Sequence, residues 1–435
     1  MAASIVGVPV SRRIPAGHRR VLICCGIFIF AFGVFHYDVG WPSRPYFDET
    51  YYVPAVHSIF SVRPIVNAEH PPLAKELIAI GVIVDGDTSA GWRLMSGVFG
   101  ALTLVGVYLW SLQLFSNQRA ALWVALLSFV NQGIYVQSRI AMLDIFLLAF
   151  LIWALMFFSS TWTSTQVRRL FACTGVCLGL AAACKWTGLA AWMLVLAIVV
   201  GVKILQRLEV SFENPSHADW YRGDLWRQMR PRDWFLSLAI LPLAAYFMAF
   251  VPQYGFHVVA ILQRQIHMWE LLTGKFAAHR YMSHWLTWPL MIRPVWYLWD
   301  ADVKPNLNSG VVYLTNPLIA WAGLLAVFVC FYDWIVLRRR QAFIIFSSWF
   351  SLYAFWAFTP RAVMFSYYYL PSLTILSLAL AYMFYETPLA DFVWLRRTFM
   401  AGATAMFIYF LPVTTAGIGV TQAGFNHRMW LHTWP

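Results

Sequence analysis

Tyr46-Phe47-Asp48-Glu49-Thr50-Tyr51-Tyr52 lies a short distance after the first apolar run of the chain, about residues 21–36. Two adjacent acids among aromatics, at the end of a segment of membrane-spanning character, set the reading of everything else. A carboxylate beside a bilayer is costly unless it has a partner or a task. His70-Pro71-Pro72-Leu73-Ala74-Lys75 and Ser138-Arg139-Ile140-Ala141-Met142-Leu143-Asp144 supply further polar groups. Threaded through a membrane, the chain puts all three stretches on one side. They read as one active site, with the rest of the chain as its frame.

The 435 residues are 60% hydrophobic and 11% charged, with a mean hydropathy of +0.63. Soluble domains are about 25% charged, so the composition points to a polytopic membrane protein. Aromatics make up 18%, including 23 Trp, more than interfacial belts usually need. The surplus hints at aromatic surfaces outside the membrane that bind lipid or sugar. The formal charge of +12 is scattered between apolar runs. That pattern suits positive-inside loops and phosphate ligands and argues against nucleic acid. Cys24, Cys25, Cys173, Cys177, Cys184 and Cys330 all lie in or at the ends of apolar runs, as packing residues do, with no disulfide framework and no zinc spacing.

Arg12, Arg13, Arg19 and Arg20 precede the first run and no small-x-small cleavage site follows it. This predicts an uncleaved first span with a cytoplasmic tail. Further runs at about 92–115, 120–137, 140–158, 169–184, 187–204, 234–251, 311–336, 342–359, 362–386 and 397–414 bring the expected total to eleven spans, several near the ~20 residues a bilayer requires. The inside segments then hold 18 of the 31 Lys and Arg, and the C-terminus falls outside. Two long outer segments result, about 37–91 and 252–310. In the second, Val259, Leu262, Ile266, Trp269 and Leu272 recur at helical spacing within Phe256 to Phe276, predicting an amphipathic helix on the membrane surface. Residues 1–435 read as a single membrane domain.

Neighbouring Asp48 and Glu49 point in different directions on a helix or strand. One suits a general base while the other positions substrate or pairs with a cation; the structural alternative is an acid pair at a helix start. Pro71-Pro72 fix a bend that opens a helix at about Leu73. Its free N–H groups and Lys75 either attract an anion or form a rigid turn with a solvated lysine. His57, His70, His257, His267, His279 and His284 match no zinc spacing, so no metal site is assigned. Arg139, in a tight outer turn, and Asp144, entering the next span, are either a structural pair or a phosphate-binding arginine with its orienting acid. Lys185, in Cys184-Lys185-Trp186-Thr187-Gly188, is either a snorkelling residue or a phosphate ligand. Arg361 follows Thr359-Pro360 and precedes the Tyr-rich run up to Pro371. Three cations brought to one face by three hairpins suggest an anionic phosphate near the outer leaflet.

These residues resemble the protein O-mannosyltransferases and related polyprenyl-phosphate-dependent transferases of the membrane GT-C fold. The matching stretches are Phe47 to Tyr52, His70 to Lys75, Ser138 to Asp144, Cys184 to Gly188, Trp288-Pro289-Leu290 with Arg293 to Tyr297, Asn316-Pro317, and the Tyr-rich run before Pro371. The resemblance implies an all-α GT-C fold with about eleven spans and an extracytoplasmic site. It implies mannose on a polyprenyl phosphate as donor and a Ser or Thr hydroxyl of a secreted or membrane protein as acceptor. Asp48 matches the catalytic acid, with Glu49 helping to hold acceptor or sugar. Arg139, Lys185 and Arg361 would hold the phosphate, and Tyr52, His70, Lys75, Asp144 and Tyr367 would support the site. Attack opposite the phosphate would invert the anomeric centre. A divalent cation stays open.

The chain departs from the family in two places. Nothing between its middle spans is long enough for the β-trefoil insert of eukaryotic members, and Ala74 replaces the usual glycine. It looks like a minimal bacterial member, in the inner membrane. Same-fold enzymes that move aminoarabinose to lipid A, or sugars to envelope glycans, are the alternative within the class. A transporter is the rival outside it. Transporters show broken spans in matching halves, and these halves show no such symmetry.

Overall fold

A computed structural model describes residues 16–60, 66–208, 221, 223–274 and 277–435. Arg12, Arg13, Arg222 and Phe276 fall outside that set. Each of the eleven apolar runs contains helix, and among the described residues six helices have the length and apolarity to cross a bilayer. The longest are α1 (Ala16–His36) and α4 (Ser89–Phe115) in the first half, with α8 (Val167–Cys184) and α9 (Gly188–Arg207) behind them. Between these lie α2 (Glu49–Ile59), α3 (Leu73–Asp85), α5 (Gln118–Phe129), α6 (Gln132–Gln137) and α7 (Asp144–Ser160). After α9 come α10 (Leu241–Met248), α11 (Val258–Thr273), α12 (Pro317–Ile335), α13 (Arg340–Ala354), α14 (Leu370–Tyr385) and α15 (Val393–Thr414).

Apolar periodicity alone does not say which spans are central. In α1 most of the apolar surface is exposed, with Val21, Leu22, Ile29 and Phe30 facing outward, as a helix at the lipid boundary should be. The α14 segment is 94% buried and packs against α12, α13 and α5. Asn316 ties three helices together. Its Oδ1 caps α12 at the Leu318 and Ile319 amides, and its Nδ2 donates to the carbonyls of Val130 and Ala403 at 3.0 and 2.8 Å. Asn-Pro here is a helix-start signal with Pro at the first turn.

Before α10 the chain makes a π-turn, Leu236–Ile240. Pro242 cannot donate to the Leu238 carbonyl, and the Trp192 indole does so instead at 2.9 Å. Gly175 and Gly179 of α8 face this bend. A Cβ on either would stand 1.9 Å from the Ser237 carbonyl oxygen or 2.1 Å from that of Pro242, so only glycine permits the approach.

The all-α expectation needs one correction. In the second outer segment, β1 (Val295–Lys304) pairs antiparallel with β2 (Leu307–Tyr313). The predicted start of a span at 311 is therefore strand, and that helix begins at Pro317. Val295-Trp296-Tyr297-Leu298-Trp299 is rich in the residues that favour strands. Pro305 and Asn306 make the turn, with Asn306 at φ 63°, as turn chemistry prescribes. The predicted amphipathic helix forms α11, with Val259, Leu262, Ile266 and Trp269 exposed and Ile261 and Met268 buried.

Candidate active site

Asp48 occupies the N-cap position of α2, yet its carboxylate caps nothing. Phe47 before it is left-handed, φ 50°, a conformation that costs about 1–2 kcal/mol for a residue with a Cβ. Stacking of its ring on Tyr297, centroids 4.2 Å apart, holds it there. The turn aims Asp48 into a cavity, where Oδ2 accepts a hydrogen bond from the Tyr367 hydroxyl at 3.3 Å. Burial pushes the Asp48 carboxyl up to about 6, against the pull of Lys185. A base of that strength is mostly ionised at neutral pH and still able to take a proton.

Glu49 faces the other way and is fully buried. It accepts from Arg93 Nε and Nη2, each at 2.8 Å, from the Ala141 amide at 2.9 Å and from the Tyr46 amide at 3.3 Å. The remaining Arg93 donors go to the carbonyls of Val39, Pro42 and Arg44. Every donor of the guanidinium fork is used. The expectation that Glu49 meets acceptor or sugar does not fit this geometry. Glu49 locks the Asp48 loop to α4 and to the turn before α7. Sequence reasoning passed over Arg93, although an arginine in the first turns of an apolar span needs a partner.

Arg139 also departs from expectation. Its Nη1 donates to the carbonyls of Val34, Phe35 and Tyr37 at 3.2, 2.9 and 2.7 Å, and Nη2 reaches that of Asp38. These are the orphan acceptors at the end of α1, so Arg139 caps a helix and has little left for phosphate. Nor does it pair with Asp144. Asp144 instead holds Lys185, Oδ1 to Nζ 2.8 Å, with both side chains buried. Lys185 also sits over the Tyr368 ring at 4.3 Å. Lys75 turns back on its own loop, donating to the carbonyls of Asn67 and His70 at 2.8 and 2.9 Å. Burial, reinforced by Arg264, lowers it to about 7. It is neither solvated nor aimed at an anion.

Two cavities meet beside Asp48. The more polar one, about 360 Å³, is lined by Asp48, Tyr52, Glu69, His70, Arg361 and Tyr367. The other, about 520 Å³, is an apolar groove between α9, α11 and the end of α13, walled by Trp186, Trp269 and Trp356 with Lys185 at one end. His70 and Arg361 line both. The Arg361 guanidinium lies 5.2 Å over the Tyr368 ring and makes no ion pair among the described residues. His70 is buried with no partner on Nδ1 among the described residues. Its burial, with Lys185, Arg361 and Lys75 nearby, keeps it neutral. A charged headgroup on an apolar tail fits this junction, with the tail in the groove and the head at Lys185 and Arg361.

Comparison with known proteins bears on the family and the fold. The 22% identity to a polyprenol-phosphate-mannose–protein mannosyltransferase of Mycolicibacterium smegmatis runs over 485 aligned positions, 91% of this chain and 89% of that protein. A protein of the same description from Corynebacterium glutamicum is 32% identical over 181 residues, 34% of this chain and 35% of that protein. In fold, the chain superposes on the Saccharomyces cerevisiae protein O-mannosyltransferase Pmt1-Pmt2 complex bound to the sugar donor. The TM-score is 0.77 at 14% identity, covering 98% of this chain and 94% of that one. The chain thus shares the GT-C fold and is an integral, multi-pass membrane protein. Residues 69–215 match the family described as dolichyl-phosphate-mannose-protein mannosyltransferase, and residues 257–434 match the C-terminal four-transmembrane region of protein-O-mannosyltransferase. Matched by these two family models in turn, and along nine-tenths of its length by a relative of that description, the chain belongs to the protein O-mannosyltransferases.

Proposed function

We propose that this protein is an inverting glycosyltransferase that moves mannose from polyprenyl-phosphate mannose to Ser or Thr hydroxyls of proteins. The observation that carries the reading is the meeting of an apolar groove with a polar cavity at His70 and Arg361, with Asp48 on the polar side. The polyprenyl chain occupies the groove and its phosphate lies at Lys185 and Arg361. The sugar and the acceptor hydroxyl share the polar cavity.

In the transfer, the acceptor oxygen attacks the anomeric carbon opposite the phosphate. The new C–O bond forms as the bond to the phosphate oxygen breaks, and the hydroxyl proton passes to Asp48. Tyr367 donates to that carboxylate and holds it at the cavity wall. Charge grows on the departing phosphate, where Arg361 and Lys185 stabilise it in a site shielded from water. The Lys185 charge is half-committed to Asp144, which makes Arg361 the stronger ligand. Glu49 and Arg93 hold the loop in place, so the carboxylate stays aligned with the anomeric carbon. No step is routed through a metal ion.

The arginine bias of the sequence supports a cytoplasmic N-terminus and an extracytoplasmic site, in a bacterial inner membrane. The test uses the purified full chain, polyprenyl-phosphate mannose and a Ser/Thr-rich peptide, with mass spectrometry for an added hexose. Transfer should appear in the wild type. In Asp48→Asn it should fall by about 10²–10⁴-fold, the range for a lost general base, with donor binding nearly unchanged. Wild-type rates in Asp48→Asn would overturn the assignment.

A further inference from the structure

A third cavity, about 290 Å³, shares no lining residue with the two beside Asp48. The β-hairpin connects the regions. Tyr297 of β1 stacks on Phe47 at the Asp48 loop, while farther along the hairpin Val303 and Leu307 form one wall of the third cavity. The loop after α1 contributes Asp38 and Trp41, and the chain after α15 contributes residues 416–419.

The groups converge on one point. Asp38 is left-handed, φ 51°, with its carbonyl held by Arg139. Its Oδ2 stands 2.5 Å from where a Cβ on Gly417 would be, and the edge of the Trp41 indole is 3.9 Å from the same point. A side chain at 417 would push the carboxylate from its present place. No hydrogen bond or ion pair engages that carboxylate among the described residues. Trp41 is 45% exposed, with its ring open to the cavity.

Asp38 is exposed, so its carboxylate is free to exchange water for a ligand, and with the open indole beside it the chemistry selects that ligand. A divalent metal such as calcium wants six to eight oxygens, and the lining offers one carboxylate beside Trp41, Val303, Leu307 and Ile418, with Asn308 donating to Gln422 and Ser309 to the Ala416 carbonyl. An anion is repelled by Asp38. A neutral pyranose has an apolar C–H face to lay on the indole and hydroxyls to donate to the carboxylate, and the volume suits a single ring.

We propose that this cavity is a glycan subsite that binds a neutral hexopyranoside. On the reading that the protein mannosylates proteins, its occupant is the mannosyl group of an acceptor already modified once. The subsite retains that product for transfer to a second hydroxyl. The reaction itself adds no step here, because binding is non-covalent.

The test is titration of the donor-free, full-length protein with methyl α-D-mannopyranoside, followed by saturation-transfer NMR. Asp38→Asn, which keeps the shape and removes the charge, and Trp41→Ala should each weaken binding at least tenfold. Asp48→Ala should leave it unchanged. In transfer assays, Asp38→Asn should act normally on an unmodified peptide and lose the advantage of a singly mannosylated one. Absence of binding to the wild type, or equal affinity in Asp38→Asn and Trp41→Ala, overturns the proposal. The binding measurement needs no turnover, so it stands or falls separately from the mannosyltransferase reading.

Discussion

With its carboxyl pushed up to about 6 by burial, Asp48 links rate and stability through one proton. Below that value the base is protonated, so kcat/KM should fall about tenfold per pH unit. For stability the sign runs the other way. The unfolded chain loses this proton near the ordinary value of 3.8 while the folded chain keeps it to about 6. The folded state is therefore penalised progressively between those values, and the penalty persists above them. Asp48→Asn should raise stability at pH 7 by about 1–2 kcal/mol after discounting for solvent at this half-buried group. The gain should vanish by about pH 4, as thermal melts at both pH values will show. Arg361 and Arg139, alike in the sequence, should separate by assay. Arg361→Ala should weaken donor binding at least tenfold with little change in Tm, whereas Arg139→Ala should lower Tm with donor affinity preserved. Glu49→Gln leaves Arg93 buried beside a neutral amide, and breaking such a pair costs about 3–5 kcal/mol. A sharp loss of folded, monodisperse protein is expected; an unchanged Tm with lost transfer would instead place Glu49 on the substrate. Asp48 stands out from its aromatic neighbours in the sequence, but the partners of Glu49, Arg139 and Asp144 could not be read there. Local sequence gives a charge its need for a partner and leaves the choice to the fold.

Among the elements, the helices were legible because long apolar runs satisfy their backbone only as helices in a bilayer. The β1–β2 hairpin was not, since an outer segment can satisfy its backbone in several ways and the 311–336 run continued the apolar signal into β2. The hairpin matters to the site, because Tyr297 props up the strained Phe47 and is itself held by Gln137 at 2.8 Å. The contact of α8 with the π-turn and α10 rests on glycine. Gly175→Leu would drive a side chain into the Ser237 carbonyl. Overpacking of this kind should cost about 3 kcal/mol or more, read as lost Tm or yield. Gly201→Ala in α9, where a Cβ meets nothing within 4 Å, is the control and should be neutral.

Across the whole molecule, α11 joins the membrane surface to the groove. Its exposed face carries Val259, Leu262, Ile266 and Trp269, while Trp269, Leu272 and Thr273 at its end line the groove beside Lys185. A helix that lies on the bilayer and ends at a lipid-shaped groove should deliver long-chain substrates from the membrane. Leu262→Glu with Ile266→Glu should cut transfer from a long polyprenyl donor several-fold. A short, water-soluble donor should be used as before, and equal loss on both donors would reject the role. The sequence by itself determined that the chain is a membrane-embedded transferase frame, and it singled out Asp48, Lys185, Arg361 and Tyr367, which the fold brings to the lining of two adjoining cavities. Hydropathy and local motifs carry that information, since the cost of burying a polar group is paid where the residue sits. Which charge meets which, how α11 opens onto the groove, and the hairpin that holds Phe47 were decided only by tertiary structure. Those outcomes depend on contacts between segments far apart in the chain, such as Arg93 with Glu49 and Lys185 with Asp144, and a buried ion pair forms only where the packed helices bring both partners together.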